Sequence, residues 1–312
     1  MTAEHATITR DQTTKTATLT VAAEGEWSLF AHDTNAASRP VAFGTGPATM
    51  PLPDVPGWAC FTLRAGGHTV PLAERHLPMA GGYNFRDLGG FRGAGGKRVA
   101  WGKFFRTDGM GHLTDADLAY LATIPVKTVV DFRTAEEGAH SPDRIPPSVA
   151  TVVHLPIAPG YMNPAETRNL EDYESADAFM LHMYRDLAQD AEIAASYREF
   201  FSRVQAADDV PLIFHCSAGK DRTGIAAAFI LTALGVDRST VFNDYEVSNA
   251  YLHGKYAHLE EAKPYLKGLF TVKKAFLDEA FSLIEADHGS ITAYLENVLD
   301  VDIALMRDRY LV

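Results

Sequence analysis

A cysteine and an arginine stand with five residues between them in the run His215-Cys216-Ser217-Ala218-Gly219-Lys220-Asp221-Arg222-Thr223-Gly224. A thiol attacks as the thiolate, and a guanidinium is a planar fork that fits two oxygens of an oxyanion at once. Leu212-Ile213-Phe214 before the run reads as a buried strand, and Ile225 to Leu231 after it as a buried helix. Cys216 is therefore expected in a loop between a strand end and a helix start. Backbone N–H groups converge there and the helix N-terminus adds positive potential. Cysteines in such settings titrate at roughly 3.5–7.5. The chemistry that follows is attack on an anionic centre, with Arg222 carrying the anion and Thr223 within reach of the sulfur.

Strands and helices must position this loop. Lys103 to Arg106, Val126 to Phe132, Thr151 to Leu155 and Leu212 to His215 read as strands. Helical spacing runs over Thr114 to Ala122, with Thr114 and Asp117 as a capping box, and over Ala176 to Gln205 as two helices. Further helices are expected near 224–234, 238–250, 272–286, 289–298 and 301–309. Interleaving of this kind predicts an α/β fold with a largely parallel central sheet flanked by helices, and ligands at the carboxyl ends of its strands. Cys216 and Asp131 both follow strands and so can face one crevice.

Residues 1–75 read differently. Thr16 to Val21, Trp27 to Ala31, Ala59 to Arg64 and His68 to Leu72 alternate like short strands, the last two as a hairpin across Ala65-Gly66-Gly67. Gly44 to Gly57, rich in Pro and Gly, reads as loop. A small, sandwich-like all-β module over 1–75 is expected, structural or docking in role, followed by a second domain over 76–312.

The chain has 312 residues, ordinary apolar content and a net charge of −12. That charge argues against nucleic acid and against attraction to anionic membranes. An anionic partner must then be drawn by a local positive site. Two cysteines, Cys60 and Cys216, are too few for a disulfide framework, and Cys60 reads as core. No signal peptide or transmembrane segment is read, so a cytoplasmic location that keeps Cys216 reduced is expected. Gly93 to Arg98 lacks the Ser or Thr that a nucleotide loop needs after its lysine, and reads as a hairpin turn. His253 and His258 lie five apart, off one helical face, and imply no zinc pair.

The run HCSAGKDRTG resembles in full the signature of the protein tyrosine phosphatase superfamily. Its lysine and aspartate before the arginine resemble one branch, the atypical bacterial tyrosine and phosphoinositide phosphatases. Asn84 to Gly90, Val130 to Thr134 and Asp244 to Asn249 resemble further motifs of that branch, in the same order. The resemblance covers about Gly81 to the C-terminus and leaves out the β-rich segment. It implies the cysteine-phosphatase fold and hydrolysis of phosphate monoesters through a phosphocysteine, with no metal and no cofactor. The implied substrates are phosphotyrosine proteins or phosphoinositides. Alternatives are inositol polyphosphates, as in a phytase, or phosphate binding without turnover. An arsenate reductase would need shuttle cysteines, and a sulfurtransferase has no use for the Lys-Asp pair.

By this resemblance Cys216 is the nucleophile, Arg222 the phosphate clamp and Asp131 the general acid. Ser217, Ala218, Gly219, Lys220, Thr223 and Gly224 form the binding loop. A carboxylate inside such a loop repels its anion unless protonated or paired, so Asp221 reads as a second candidate acid or a partner for Lys220. Lys220 is expected as a point charge at the rim, and His215 as a group that positions loop carbonyls. Asp108 and Asp143 read as turn residues. Asn84, Arg86 and Asp87 are expected to brace the sheet near the loop, with Asp244, Tyr245 and Asn249 supporting from a following helix. Ala158 to Asp177, with Tyr161, Met162 and Tyr173, reads as a lid.

Overall fold

The computed structural model describes residues 6–11, 14, 16–31, 40–53, 57–160, 173–262 and 267–312. Seven strands come first: β1 (Ala6–Arg10), β2 (Ala17–Val21), β3 (Glu26–Ala31), β4 (Ala42–Thr45), β5 (Ala48–Pro51), β6 (Cys60–Ala65) and β7 (His68–Ala73). They form two antiparallel sheets, ordered β1-β2-β5 and β4-β3-β6-β7. Alternation sets the inward faces: Leu19, Val21, Trp27, Leu29, Phe61 and Leu63 are buried in one core while the Thr and Ser residues between them face outward. Gly66 and Gly67 turn β6 into β7 with φ of 56° and 78°, a backbone that L side chains resist. The expected loop over Gly44 to Gly57 holds β5 instead. Met50 and Ala48 pack on the apolar core from that strand, and partial burial outweighed the Pro and Gly around it.

The remaining strands are β8 (Arg86–Asp87), β9 (Phe104–Thr107), β10 (Thr128–Asp131), β11 (Thr151–His154) and β12 (Leu212–His215). Their sheet is ordered β11-β10-β12-β9-β8; the first four strands are parallel and β8 runs antiparallel to β9. β12 is central, and its last residue, His215, is in register with Asp131 and Thr107. The loop that carries Cys216 thus leaves the carboxyl edge of the sheet between two other strand ends.

Helices cover both faces: α1 (Asp115–Leu121), α2 (Ala135–His140), α3 (Ala176–Gln189), α4 (Ala191–Gln205), α5 (Arg222–Ala233), α6 (Arg238–Glu246), α7 (Ser248–Ala262), α8 (Lys267–Phe270), α9 (Lys274–His288), α10 (Ile291–Asn297) and α11 (Ile303–Tyr310). Val130, Phe132 and Phe214 face the larger core with α3, α4, α5 and α9; Phe105, Val129 and Ile213 face a smaller one with α1. α5 is apolar all round because it lies inside the larger core. The single helix expected over 238–250 breaks after Glu246, and a new helix starts at Ser248. Among the described residues no helix is long and apolar enough to cross a membrane.

The β-rich segment rests on the α/β part through a few contacts. Trp58 meets Phe105 edge-on at 6.2 Å, the Trp58 amide donates to Thr123 Oγ1 at 2.9 Å, and Trp101 Nε1 donates to the Pro71 carbonyl at 3.1 Å. We propose that residues 1–75 and 76–312 are separate domains and that the second carries the chemistry alone. Deleting residues 1–74 should lower the melting temperature, because Trp101 and Phe105 lose their cover. Turnover of a small aryl phosphate should stay within a few-fold of the full chain. A folded truncation unable to turn over that substrate would show that the first segment builds part of the site.

Candidate active site

β12 ends at His215 and α5 begins at Arg222, which leaves residues 216–221 as the loop. Gly219 sits at φ 66°, and a Cβ on it would overlap the Thr107 carbonyl, so glycine alone closes this turn. The turn aims the Gly219 amide at Cys216 Sγ, 3.3 Å away. Asp221 occupies the N-cap of α5 without bonding to it, which leaves the first N–H groups of that helix for an anion. Burial of Cys216 works against the thiolate. The Arg222 charge and the Thr223 hydroxyl and amide outweigh it, and the thiol titrates below its ordinary value. Thr223 Oγ1 is buried without a partner of full hydrogen-bond geometry, so the Arg222 charge is the firmer cause.

A loop that turns its amides inward turns its carbonyls outward, and buried carbonyls need donors. Asn84 Nδ2 donates to the Gly219 carbonyl at 3.0 Å and Arg106 Nη2 to the same oxygen at 2.8 Å. His215 Nδ1 lies 3.1 Å from the Cys216 carbonyl, and the Gly109 amide donates to the Ser217 carbonyl at 3.2 Å. Arg86 in turn donates to Asn84 Oδ1. Arg86 and Arg106 are both fully buried and share Asp244, at 3.4 Å and 2.8 Å. Burial would raise the Asp244 carboxyl; the two guanidiniums pull it down to about 2. Removing one member of a buried ion pair costs about 3–5 kcal/mol, so this triad fixes the loop's outer wall firmly.

Arg222 is aimed by Glu137. The carboxylate of Glu137 accepts from Arg222 Nη2 at 2.7 Å and Nη1 at 2.8 Å, and from Ser217 Oγ at 2.5 Å. Glu137 also completes the capping box of α2 with Thr134, so the start of that helix sets its position. Despite partial burial, Arg222 and Ser217 hold the Glu137 carboxyl at about 2 against an ordinary 4.5. A depressed carboxyl contributes stability above its unfolded value and loses it as pH falls toward the folded one. The clamp therefore contributes its full stability from about pH 5 upward and loses it as pH falls toward about 2. Arg222 also donates to the Phe132 and Ile157 carbonyls at 3.3 Å and 3.2 Å, and Tyr197 donates to its backbone carbonyl at 3.0 Å.

The expected acid, Asp131, is committed elsewhere. Its carboxylate accepts from Arg133 Nε at 2.9 Å and Nη2 at 2.8 Å and is 1% exposed. Alternation along β10 and β12 puts Asp131 with Val129 and His215 with Ile213, on the face away from Val130, Phe214 and Cys216. Asp143, expected in a turn, joins this cluster: its Oδ2 lies 2.6 Å from Arg133 and 3.2 Å from His215 Nε2. Burial would lower His215, but Asp143 and Asp131 raise it above its ordinary value. Asp131, Asp143 and His215 could in spacing hold a metal ion, yet the Arg133 guanidinium already bonds both carboxylates and supplies the positive charge.

Asp221 is the carboxylate that stays at the loop. It accepts from Lys220 Nζ at 2.9 Å and 2.7 Å and from the Tyr184 hydroxyl at 2.8 Å, which itself meets Tyr245 Oη at 2.7 Å. Lys220 is accordingly not a rim charge: it is 3% exposed and folded back on its neighbour. Asp108, also expected in a turn, is buried and accepts from the amides of Tyr83 and Asn84 at 3.0 Å and from Lys255 Nζ at 2.8 Å. Asp87 points away from the loop and accepts from the Gly89 and Gly102 amides at 2.7 Å. Asn249 ties α7 to Val272 and does not touch the loop. Tyr161 and Met162 of the expected lid lie outside the described residues; Tyr173 packs edge-on against Phe179 at 5.2 Å.

Sequence reasoning missed Glu137, Arg106, Tyr184, Lys255 and Tyr256. The Thr134-x-x-Glu137 box was readable, but a capping glutamate gives no sign of a second task. Lys255 Nζ stands 3.4 Å from the Ser217 carbonyl and within 5.8 Å of the Tyr83 ring and 5.7 Å of the Tyr256 ring. The three gather beside the loop at Ser217, and Lys255 and Tyr256 stand outside every motif read from the sequence.

A sequence model described as "Tyrosine phosphatase family" matches residues 77–312. A Cupriavidus necator protein whose name assigns it as a tyrosine-protein phosphatase is 35% identical over 243 residues, covering 73% of this chain and 85% of the relative. A tyrosine-protein phosphatase of Nostoc commune is 33% identical over 49% of this chain and 50% of its own. The triple specificity protein phosphatase PtpB of Mycobacterium tuberculosis is 28% identical, covering 72% of this chain and 94% of its own.

Glu137→Gln tests the clamp. It keeps the side chain's shape and removes the charge that aims Arg222. We expect kcat on a small aryl phosphate to fall roughly 10²-fold, the scale of a misplaced catalytic group. The pH midpoint of Cys216 alkylation should stay below the ordinary thiol value of 9.0, because the Arg222 charge remains nearby. An unchanged kcat would show that Arg222 needs no such guide.

Proposed function

The chain belongs to the tyrosine phosphatase family, and we propose that it hydrolyses phosphotyrosine in proteins and phosphoinositides through a phosphocysteine on Cys216. The observation that carries this reading is the lowered thiol facing the Gly219 amide beside an arginine that Glu137 holds by both terminal nitrogens. Binding begins when the substrate phosphate enters the loop between its amides and Arg222. The Cys216 thiolate attacks phosphorus, a P–S bond forms and the P–O bond to the leaving group breaks. Arg222 and the loop amides carry the equatorial oxygens throughout.

Asp221 supplies the leaving-group proton in this reading. A phosphate dianion arriving beside it penalises a second negative charge, so substrate and proton enter together. Lys220 offsets that charge while the site is empty, and Tyr184 holds the carboxyl in place. Water then attacks the phosphocysteine, Asp221 takes its proton, the P–S bond breaks and the thiolate returns.

Substrate class is argued from the mouth. Tyr83 is 40% exposed, and Tyr256 stacks on Phe270 at 5.4 Å, so aromatic surface flanks the entry and suits a phenyl ring. Lys255 adds a cation suited to a second phosphate on an inositol ring. A relative named for triple specificity supports a site that takes more than one kind of substrate. A thiol nucleophile needs a reducing compartment, so we place the protein in the cytoplasm.

Leaving-group dependence checks the acid. A general acid matters most when the leaving oxygen is basic, as in an alkyl or inositol phosphate, and little for an activated aryl phosphate. We expect Asp221→Asn to cost roughly 10²–10⁴-fold on the poor leaving group and much less on the activated one. Asp131→Asn should affect both alike, because it acts through Arg133 and the sheet edge. A leaving-group-selective loss in Asp131→Asn and not in Asp221→Asn would reverse the assignment.

A further inference from the structure

A cavity of about 370 Å³ lies where β1 and β7 meet the α/β part, lined by none of the loop residues around Cys216. Three arginines line it, Arg10, Arg75 and Arg98, and Arg10 is paired with Glu74. Arg75 lies over the Phe91 ring at 3.8 Å and near Trp101 at 4.9 Å. Among the described residues its one side-chain hydrogen bond runs from Nη1 to the Asp87 carbonyl at 3.1 Å. Arg98 likewise spends Nη1 on the Gly90 carbonyl at 2.9 Å. A guanidinium has five N–H donors, so most of both forks is unspent.

Nearby carboxylates are taken. Glu74 is held by Arg10 at 2.7 Å, and both oxygens of Asp87 accept backbone amides at 2.7 Å. A chain of net charge −12 thus leaves two arginines without an ion-pair partner among the described residues beside one cavity. The cavity's other walls are made in part by Trp101 and by His76, which stacks on Tyr251 at 3.8 Å. Its size falls within the roughly 300–1,000 Å³ of small-molecule sites.

We propose that this cavity is a second oxyanion site, taking a small phosphate-bearing molecule between Arg75 and Arg98. One fork satisfies a carboxylate; two forks lining one cavity suit an anion with more oxygens to share, which a phosphate offers. The site is separate from Cys216, so its occupancy does not depend on the catalytic reading.

Calorimetric titration with inorganic phosphate tests it. The wild-type chain should bind two equivalents. Arg222→Met should keep one and Arg98→Gln should keep one, the latter with kcat on an aryl phosphate unchanged. Titration with phenylphosphonate, which no hydrolysis consumes, separates the sources: tighter second-site binding than phosphate identifies an organic phosphate, and binding of phosphate alone identifies the free ion. A single equivalent in the wild type would overturn the proposal. So would two equivalents retained in both Arg98→Gln and Arg75→Gln.

Discussion

An anion loop must turn its amides toward the anion, and the carbonyls it turns away have to be satisfied inside the protein. Much of the surrounding structure answers that requirement. The Gly219 carbonyl takes donors from Asn84 and Arg106, and the Cys216 carbonyl lies against His215. These donors come from the segment just before β8, from β9 and from the end of β12, so neighbouring strands of one sheet bring them to the loop. Asp244 on α6 then pairs with both Arg86 and Arg106, which brings the helix after α5 back over the loop.

The same logic governs charge. The protein is acidic overall, yet its loop must attract a dianion. Cations around the loop each meet a carboxylate: Arg222 meets Glu137, Arg106 meets Asp244 and Lys220 meets Asp221. An empty site is then close to neutral and tolerable in a buried setting. Of these carboxylates, Asp221 alone stands inside the loop itself, and it is the one whose charge a bound phosphate would oppose.

The loop and its strand-turn-helix setting were legible because Cys216, Gly219 and Arg222 each have one chemical reason to stand at their spacing. The parallel strands were legible because they are short runs rich in β-branched or aromatic residues, three of them buried throughout. Asp131 was misleading: its motif and its place after a strand are as expected, but strand alternation turns its side chain to the far face, where Arg133 takes it. Lys220 was placed at the rim because an isolated lysine prefers water, and its pairing with the next residue reverses that preference. Glu137 and Lys255 were invisible for another reason. Their partners are 85 and 38 residues away, so only the folded chain brings them to the loop.

The account stands on Cys216 forming a covalent bond to phosphorus. Rapid acid quenching during turnover of an aryl phosphate, followed by mass analysis of the peptides, reads this bond directly. The account predicts a phosphate adduct on the peptide carrying Cys216, present within the first turnover and lost as substrate is exhausted. A burst of product with no adduct, or with an adduct on another residue, would contradict it.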